Sequence, residues 1–377
     1  MWSRGIVRIL STAKPSKFSD QLCASMIVRN EAPVIERCIA SIRPWISAWA
    51  IVDTGSTDGT QDKIRELLAD LPGELIERPW QDFATNRNQA LELARQYGEY
   101  ALIHDADQIL EGAPGAEFPD RLEGPGYYIR LQLTGHEFEY SGARILRLDQ
   151  PWRWKGVLHE YPALDPQPIL PLLPGLCAIG YPGGARSRRP QRDKYLDDVA
   201  VLRAALRKEP DNARYVFYLG QSLRDAGEIA PAIKAYRKRA AMPGWAEETW
   251  YSLFQVACLL ERRQAPDHET IDAYLAAFDA RPTRAEPLCE LARMLRLRGR
   301  YASAWLHARR AAELPQPDDL LFLDLSVYRW RARDEQATSG WYLGYRDQCA
   351  KICRELLDNP HLPDSEHARI RRNLEMC

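Results

Sequence analysis

The sequence predicts an α/β sheet domain followed by an all-α helical repeat domain, and three observations carry that expectation. Short β-rich runs alternate with helix-patterned segments up to about residue 185. From about residue 190 the chain is helix after helix, with internal self-similarity at a fixed offset. At 377 residues the chain is longer than one ordinary core organises, so two domains are the default.

Taken in order, the opening MWSRGIVRILSTAKPSK holds one short apolar segment interrupted by Arg8, well short of a signal peptide's core or a membrane span. Residues 1–20 are therefore expected to be a tail on a soluble, cytoplasmic chain. LCASMIV (22–28) is predicted as a strand, EAPVIERCIASI (31–42) as a helix, AWAIVD (48–53) as a strand and TDGTQDKIRELLADL (57–71) as a helix. GELIERP (73–79), DFATNRNQALELARQY (82–97) and EYALIHD (99–105) continue the alternation as strand, helix and strand. Such a repeat implies right-handed crossovers and a parallel sheet, whose ligands sit at the carboxyl ends of the strands. The polar residues gather at those ends: Arg29, Asn30 and Glu31 after the first strand, Asp53 after the second, Asp105 and Asp107 after the fourth.

Past residue 120 the pattern changes to YYIRLQL and ARILRLDQ, a pair of antiparallel strands, then to the aromatic and basic PWRWKGVLHEYP. A Pro-rich stretch, DPQPILPLLPG, and a basic one, GGARSRRPQRDK, follow. The basic stretch fits either a loop that folds over a diphosphate with Arg186, Arg188 or Lys194, or a solvated linker. Beyond it, FYLGQSLRDAGEIAPAIKAYRKRAAMPG aligns with CELARMLRLRGRYASAWLHARRAAELPQP: Gly220 matches Ala292, Ala232 matches Ala304 and Tyr236 matches Ala308. The offset of 72 residues is two units close to the roughly 34-residue tetratricopeptide period. WAEETWYSLFQVACLLERRQAPDHETIDAYLAAFDARP fits a middle unit with a small insertion near Pro266, and GWYLGYRDQCAKICRELLDNP a degenerate fourth. The expected domains are thus 21–189 and 190–377.

Composition narrows the function. The 51 basic and 52 acidic residues give a net charge of −1, which argues against a general nucleic-acid or membrane-surface binder. Eight scattered cysteines in apolar stretches point to reduced thiols, and no Cys/His pair completes a metal site with Cys349 and Cys353.

Four constellations could carry chemistry. In AIVDTGSTDGTQDKI a strand ends at Asp53, and a Gly/Ser/Thr turn opens a helix near Thr57 or Asp58, exposing backbone amides suited to anions. In MIVRNEAPVIERCI, Asn30 and Glu31 open a helix with Pro33 in its first turn. In HDADQIL, Asp105 and Asp107 lie two apart, so in an extended segment both carboxylates share one face. Like charges that close are most easily tolerated with a divalent cation between them or bridging to phosphate oxygens. In RWKGVLHEYP, His159 and Glu160 should point to opposite faces, and Trp152 and Trp154 offer flat surfaces suited to sugar rings or to core packing.

Together, RNEAPVIERCIASI, VDTGSTDGT, PWQDFATNRNQAL and HDADQIL, in that order and spacing, resemble the nucleotide-sugar domain of family-2 glycosyltransferases, which has a GT-A fold. WKGVLHEYP resembles the His-Glu segment of a subset in which tetratricopeptide repeats follow the catalytic domain. The resemblance implies that Asp53 contacts uracil or another base, with Asn30, Glu31 and Asp58 around the nucleoside. Arg87 and Asn88 would approach the sugar or diphosphate. Asp105 and Asp107 would be metal-binding carboxylates for Mn²⁺ or Mg²⁺, with His159 a further metal or phosphate ligand. The implied reaction is inverting transfer from a nucleotide-diphosphate sugar, UDP-sugar first among them, to a saccharide, peptide or other acceptor that the repeats help to present. Glu160 is the first candidate for the base, and Glu137 and Glu139 compete for that role. The repeats also suit a protein partner or self-association. Two rivals stand against this expectation. A non-catalytic tetratricopeptide scaffold has no need of Asp53, Arg87, Asp105 and Asp107 together, and a nucleotidyltransferase would bring a basic Gly-rich signature that RNEAPVIERC lacks.

Overall fold

The computed structural model of the protein describes residues 17–135, 137–184 and 190–377, which divide into two compact units, the first ending at Leu202 and the second beginning at Arg203. In the first unit the strands are β1 (Leu22–Val28), β2 (Ala48–Asp53), β3 (Gly73–Glu77), β4 (Tyr100–Ile103), β5 (Gln108–Gly112), β6 (Gly126–Leu133), β7 (Phe138–Arg147), β8 (Arg153–Lys155), β9 (Tyr161–Ala163) and β10 (Leu172–Gly180). Its helices are α1 (Ile35–Ile42), α2 (Thr60–Leu67) and α3 (Phe83–Ala94).

The main sheet runs β3-β2-β1-β4-β7-β6-β10-β5, and β8 pairs only with β9. The first four strands are parallel, as βαβ crossovers require. β7 then runs antiparallel to β4, β6 antiparallel to β7, β10 parallel to β6 and β5 antiparallel to β10. One edge of the sheet therefore carries the carboxyl ends of β1, β2, β3, β4, β6 and β10 together with the start of β5 and β7.

Alternation along each strand feeds two cores. Leu22, Ala24 and Met26 of β1 pack with Ile35, Ile39 and Ile42 of α1, whereas Cys23 packs with Leu91 and Ala94 of α3 and with Trp152 and Trp154. Each large aliphatic side chain so buried contributes about 1.5–3 kcal/mol. Four strands seen here are not predicted from the sequence: β5, directly after HDAD, β8 and β9, which flank GVLHE, and β10, whose opening lies in the Pro-rich stretch.

The second unit is a succession of helical hairpins. After α4 (Gln191–Lys208), whose middle contains the unit division, come α5 (Ala213–Asp225), α6 (Ile229–Ala240), α7 (Ala246–Arg262), α8 (Asp267–Ala280), α9 (Glu286–Leu297), α10 (Tyr301–Glu313), α11 (Ala332–Tyr342), α12 (Arg346–Leu357) and α13 (Asp364–Glu375). Each helix from α5 to α13 packs on its sequence neighbour.

The matched positions explain the repeat. A Cβ on Gly220 would lie 2.9 Å from the Tyr236 ring, so the small residue on α5 makes room for the large one on α6. In the later hairpin Ala292 and Ala308 stand at the matched positions, both wholly buried. Arg284, also wholly buried, ties the α10–α11 connection down by donating to Asp319, Leu321 O and Phe322 O, with Glu286 on its other side and the Trp250 ring 3.6 Å from its guanidinium carbon. Complete pairing is what makes a buried guanidinium tolerable.

Candidate active site

Loops from the carboxyl ends of β1 and β2 are laced together first. Asn30 takes a left-handed backbone, φ 56°, and its Oδ1 accepts from the Thr57 amide at 2.8 Å, while its own amide donates to Ser56 Oγ. Asp58 accepts from the Ala32 amide at 3.1 Å and from Thr60 Oγ1 at 2.5 Å, and the Glu31 amide donates to Thr60 Oγ1. Neither Asn30 nor Asp58 occupies an N-cap position, since α1 starts at Ile35 and α2 at Thr60 after Gly59 in the left-handed region, although Asp58 Oδ1 also accepts from the Thr60 amide at 3.2 Å. Asn30 thus ties the two loops together, and Asp58 ties the first loop to the start of α2.

Asp53 lies wholly buried at the centre of those loops. Its Oδ1 accepts from the amides of Gly55 and Ser56, both at 2.9 Å, and from Gln61 Nε2 at 3.0 Å. Its Oδ2 is buried with no partner. Burial pushes the carboxyl up, but the bonds from Ser56, Gln61 and Gly55 outweigh it and hold Asp53 below the ordinary carboxylate range.

The second half of the edge is ionic. Asp105 and Asp107 sit in a turn between β4 and β5, not in the extended segment that the sequence suggests, so they do not share a face by strand alternation. Asp105 Oδ1 accepts from Arg87 Nη2 at 2.6 Å and Oδ2 from Arg144 Nη2 at 3.1 Å. Arg87 Nε donates to Glu160 Oε1 at 2.6 Å, and the guanidinium lies 5.2 Å over the Trp154 ring. Burial would push the Asp105 carboxyl up; the charges of Arg87 and Arg144 reverse this and hold it far below its ordinary value. Asp107 behaves oppositely, pushed up by burial and by the negative charge of Asp105. A Cβ on Gly184 would sit 2.8 Å from Asp107 Oδ2, so this carboxylate keeps its space because residue 184 is glycine. His104, wholly buried, has its imidazole pushed down to about 4 by burial.

The β8–β9 hairpin supplies Glu160. His159 takes a left-handed backbone, φ 51°, and is exposed, while Glu160 turns inward to Arg87, the opposed orientation expected of neighbours. Among the described residues no group of three His, Cys, Asp or Glu side chains is gathered as a metal cage. Asn88 does not face the ionic cluster with Arg87: its amide donates to Trp154 O at 3.1 Å and accepts from the Trp154 amide at 2.8 Å. Trp154 pairs with Pro162 across the hairpin, and its own N–H and C=O are the groups that Asn88 satisfies. Trp152 and Trp154 are core residues, not open sugar platforms. Glu139 is buried against Arg130 and Gln132, while Glu137 lies in the β6–β7 turn at the same edge. Arg186 and Arg188 lie outside the described residues, and Lys194 stands in α4 with its ammonium 5.1 Å from the Tyr195 ring centre.

Two features escaped sequence reasoning. Arg144 sits in a strand with no motif around it, and only the antiparallel register of β7 on β4 brings it to Asp105. Trp80, two-fifths exposed and edge-on to Phe83 at 4.8 Å, gives the rim after β3 an apolar face.

Comparison with known proteins fits this geometry. The family model described as glycosyl transferase family 2 matches residues 23–112, the span from β1 through β5. A TPR repeat-containing protein of Synechococcus elongatus is 28% identical over 311 residues, covering 77% of this chain and 75% of that protein. The SPbeta prophage-derived glycosyltransferase SunS of Bacillus subtilis is 27% identical over 230 residues, covering 58% of this chain and 52% of SunS, so the match spans about half of that relative. Among solved structures, MamA is 16% identical with a TM-score of 0.36, covering 47% of this chain and 87% of its own. No helix among the described residues is long and apolar enough to cross a membrane. Over residues 23–112 the chain thus resembles glycosyl transferase family 2, within a mixed sheet that helical repeats follow.

Proposed function

We propose that the chain is a glycosyltransferase that moves a sugar from a nucleotide-diphosphate donor, a UDP-sugar first, to an acceptor with inversion. In this reading residues 21–189 form the catalytic domain and 190–377 the repeats that engage the acceptor. The observation that carries it is the pairing, at one sheet edge, of a buried Asp53 oxygen without a partner and the Arg87–Asp105–Arg144 cluster. A buried carboxylate oxygen left unbonded is costly, and a base N–H or ribose hydroxyl would satisfy it. The eight cysteines are all unpaired, which suits a reducing cytoplasm.

A divalent ion, Mn²⁺ or Mg²⁺, fits Asp107. Its carboxyl lies beside a second negative charge and keeps open space only through the glycine at 184. Hard cations of this kind are held by one or two carboxylates with phosphate oxygens and water completing the shell. Asp105 is committed to the two arginines and so serves the ion through its charge. When bound, the ion would offset charge on the departing diphosphate.

The chain's own residues do the rest. Asp53 and the loops tied by Asn30 and Asp58 orient the nucleoside. Glu160 Oε1 is pinned by Arg87, which leaves Oε2 to take the proton from the acceptor's nucleophilic atom as that atom bonds to the anomeric carbon. The bond from that carbon to the diphosphate breaks, and its electron pair leaves with the phosphate oxygen. Isothermal calorimetry tests the reading: UDP or GDP should bind more tightly with Mn²⁺ present and lose that gain on chelation. Binding indifferent to the chelator would remove the metal from the mechanism.

A further inference from the structure

Arg144 belongs to none of the motifs that mark this domain. It lies on β7 where the β6–β7 register shifts, left without a partner in that pairing, and among the described residues its hydrogen bond goes to Asp105 Oδ2 at 3.1 Å. Arg87 is differently placed. Its two bonds, each 2.6 Å, reach separate carboxylates, and Trp154 covers its face. A guanidinium has five N–H donors. Among the described residues Arg144 uses one of them, and its side chain keeps 14% exposure. Beside it, the half-buried Asp107 carboxylate receives a bond from its own backbone and from no other described residue. A guanidinium with spare donors near a carboxylate that no other side chain bonds matches a phosphate chain shared between an arginine and a cation.

We propose that Arg144 binds the donor's diphosphate, with Asp105 as the anchor that aims its guanidinium. This rests on the glycosyl-transfer reading above and adds a ligand that the family motifs do not include. Lys would keep the charge but lose the planar fork, so the position requires arginine.

The test uses the full chain in Mn²⁺ buffer, with calorimetric titration of UDP, GDP, CDP and dTDP and of the nucleoside matching whichever binds. Arg144→Gln should weaken the diphosphate about 10- to 100-fold, the loss of charge-assisted bonds, while the free nucleoside binds within about twofold of wild type. Arg144→Lys should fall between, and it answers the question should the glutamine variant not fold. Equal losses for nucleoside and diphosphate, or no loss for either, overturn the proposal while leaving the glycosyltransferase reading intact. Wild-type protein that binds none of the four diphosphates overturns both.

Discussion

Asn88→Ala separates a donor contact from a scaffold contact. The resemblance puts Asn88 beside Arg87 at the sugar or diphosphate, whereas its side chain spans both polar groups of the Trp154 peptide at 2.8 and 3.1 Å. Trp154 is buried, with 7% exposure, and its partner across the hairpin is Pro162, which has no N–H to give. Removing the amide therefore strands one donor and one acceptor. At about 1–3 kcal/mol for each buried group left unmade, with water recovering part, the hairpin should loosen by about 2–4 kcal/mol. Hydrogen exchange followed by mass spectrometry reads this directly, because amides of 153–163 should lose protection by a factor on the order of 10². Trp154 also lies under Arg87, so Glu160 shifts with it, and transfer should slow about 10²-fold while UDP affinity stays within about twofold. Unchanged exchange together with tenfold weaker UDP binding would refute this and return Asn88 to the donor.

Two further variants address the chemistry. Glu160→Gln should keep nucleotide binding and cut transfer by about 10²–10⁴, the range of a lost general base, in a direct product assay; that phenotype from Glu137→Gln instead, with Glu160→Gln active, moves the base to the β6–β7 turn. Gly184→Ala puts a Cβ 2.8 Å from Asp107 Oδ2, so the Mn²⁺ enhancement of UDP binding should drop about tenfold with metal-free binding unchanged. Full Mn²⁺ enhancement in that variant would show that the ion does not depend on Asp107.

Much of the site was legible because it depends on short-range pattern. Asp53 ends a strand before a Gly/Ser/Thr turn, Asp105 and Asp107 follow β4, and a parallel sheet sends such ends to one edge whatever its exact register. Where the sequence left a role unseen, the partner was distant in the chain. Asp58 bonds Thr60 at the start of α2 but also takes the Ala32 amide, and Asn30 is claimed by Thr57. Trp152 and Trp154 were ambiguous between platform and core until α3 closed over them.

By itself, then, the sequence determined the alternation of strands and helices, the small-residue repeat of the second unit and the set of acidic residues at the strand ends, since each follows from periodicity or local turn chemistry. Only the tertiary structure decided what those residues do to one another. Asp105 and Asp107 are nearly adjacent in the chain, yet their acidities are pushed in opposite directions, because Arg87 from α3 and Arg144 from β7 both converge on Asp105 and neither bonds to Asp107. Charge interactions depend on distance in space, and the two arginines come from elements that the sequence pattern leaves unconnected.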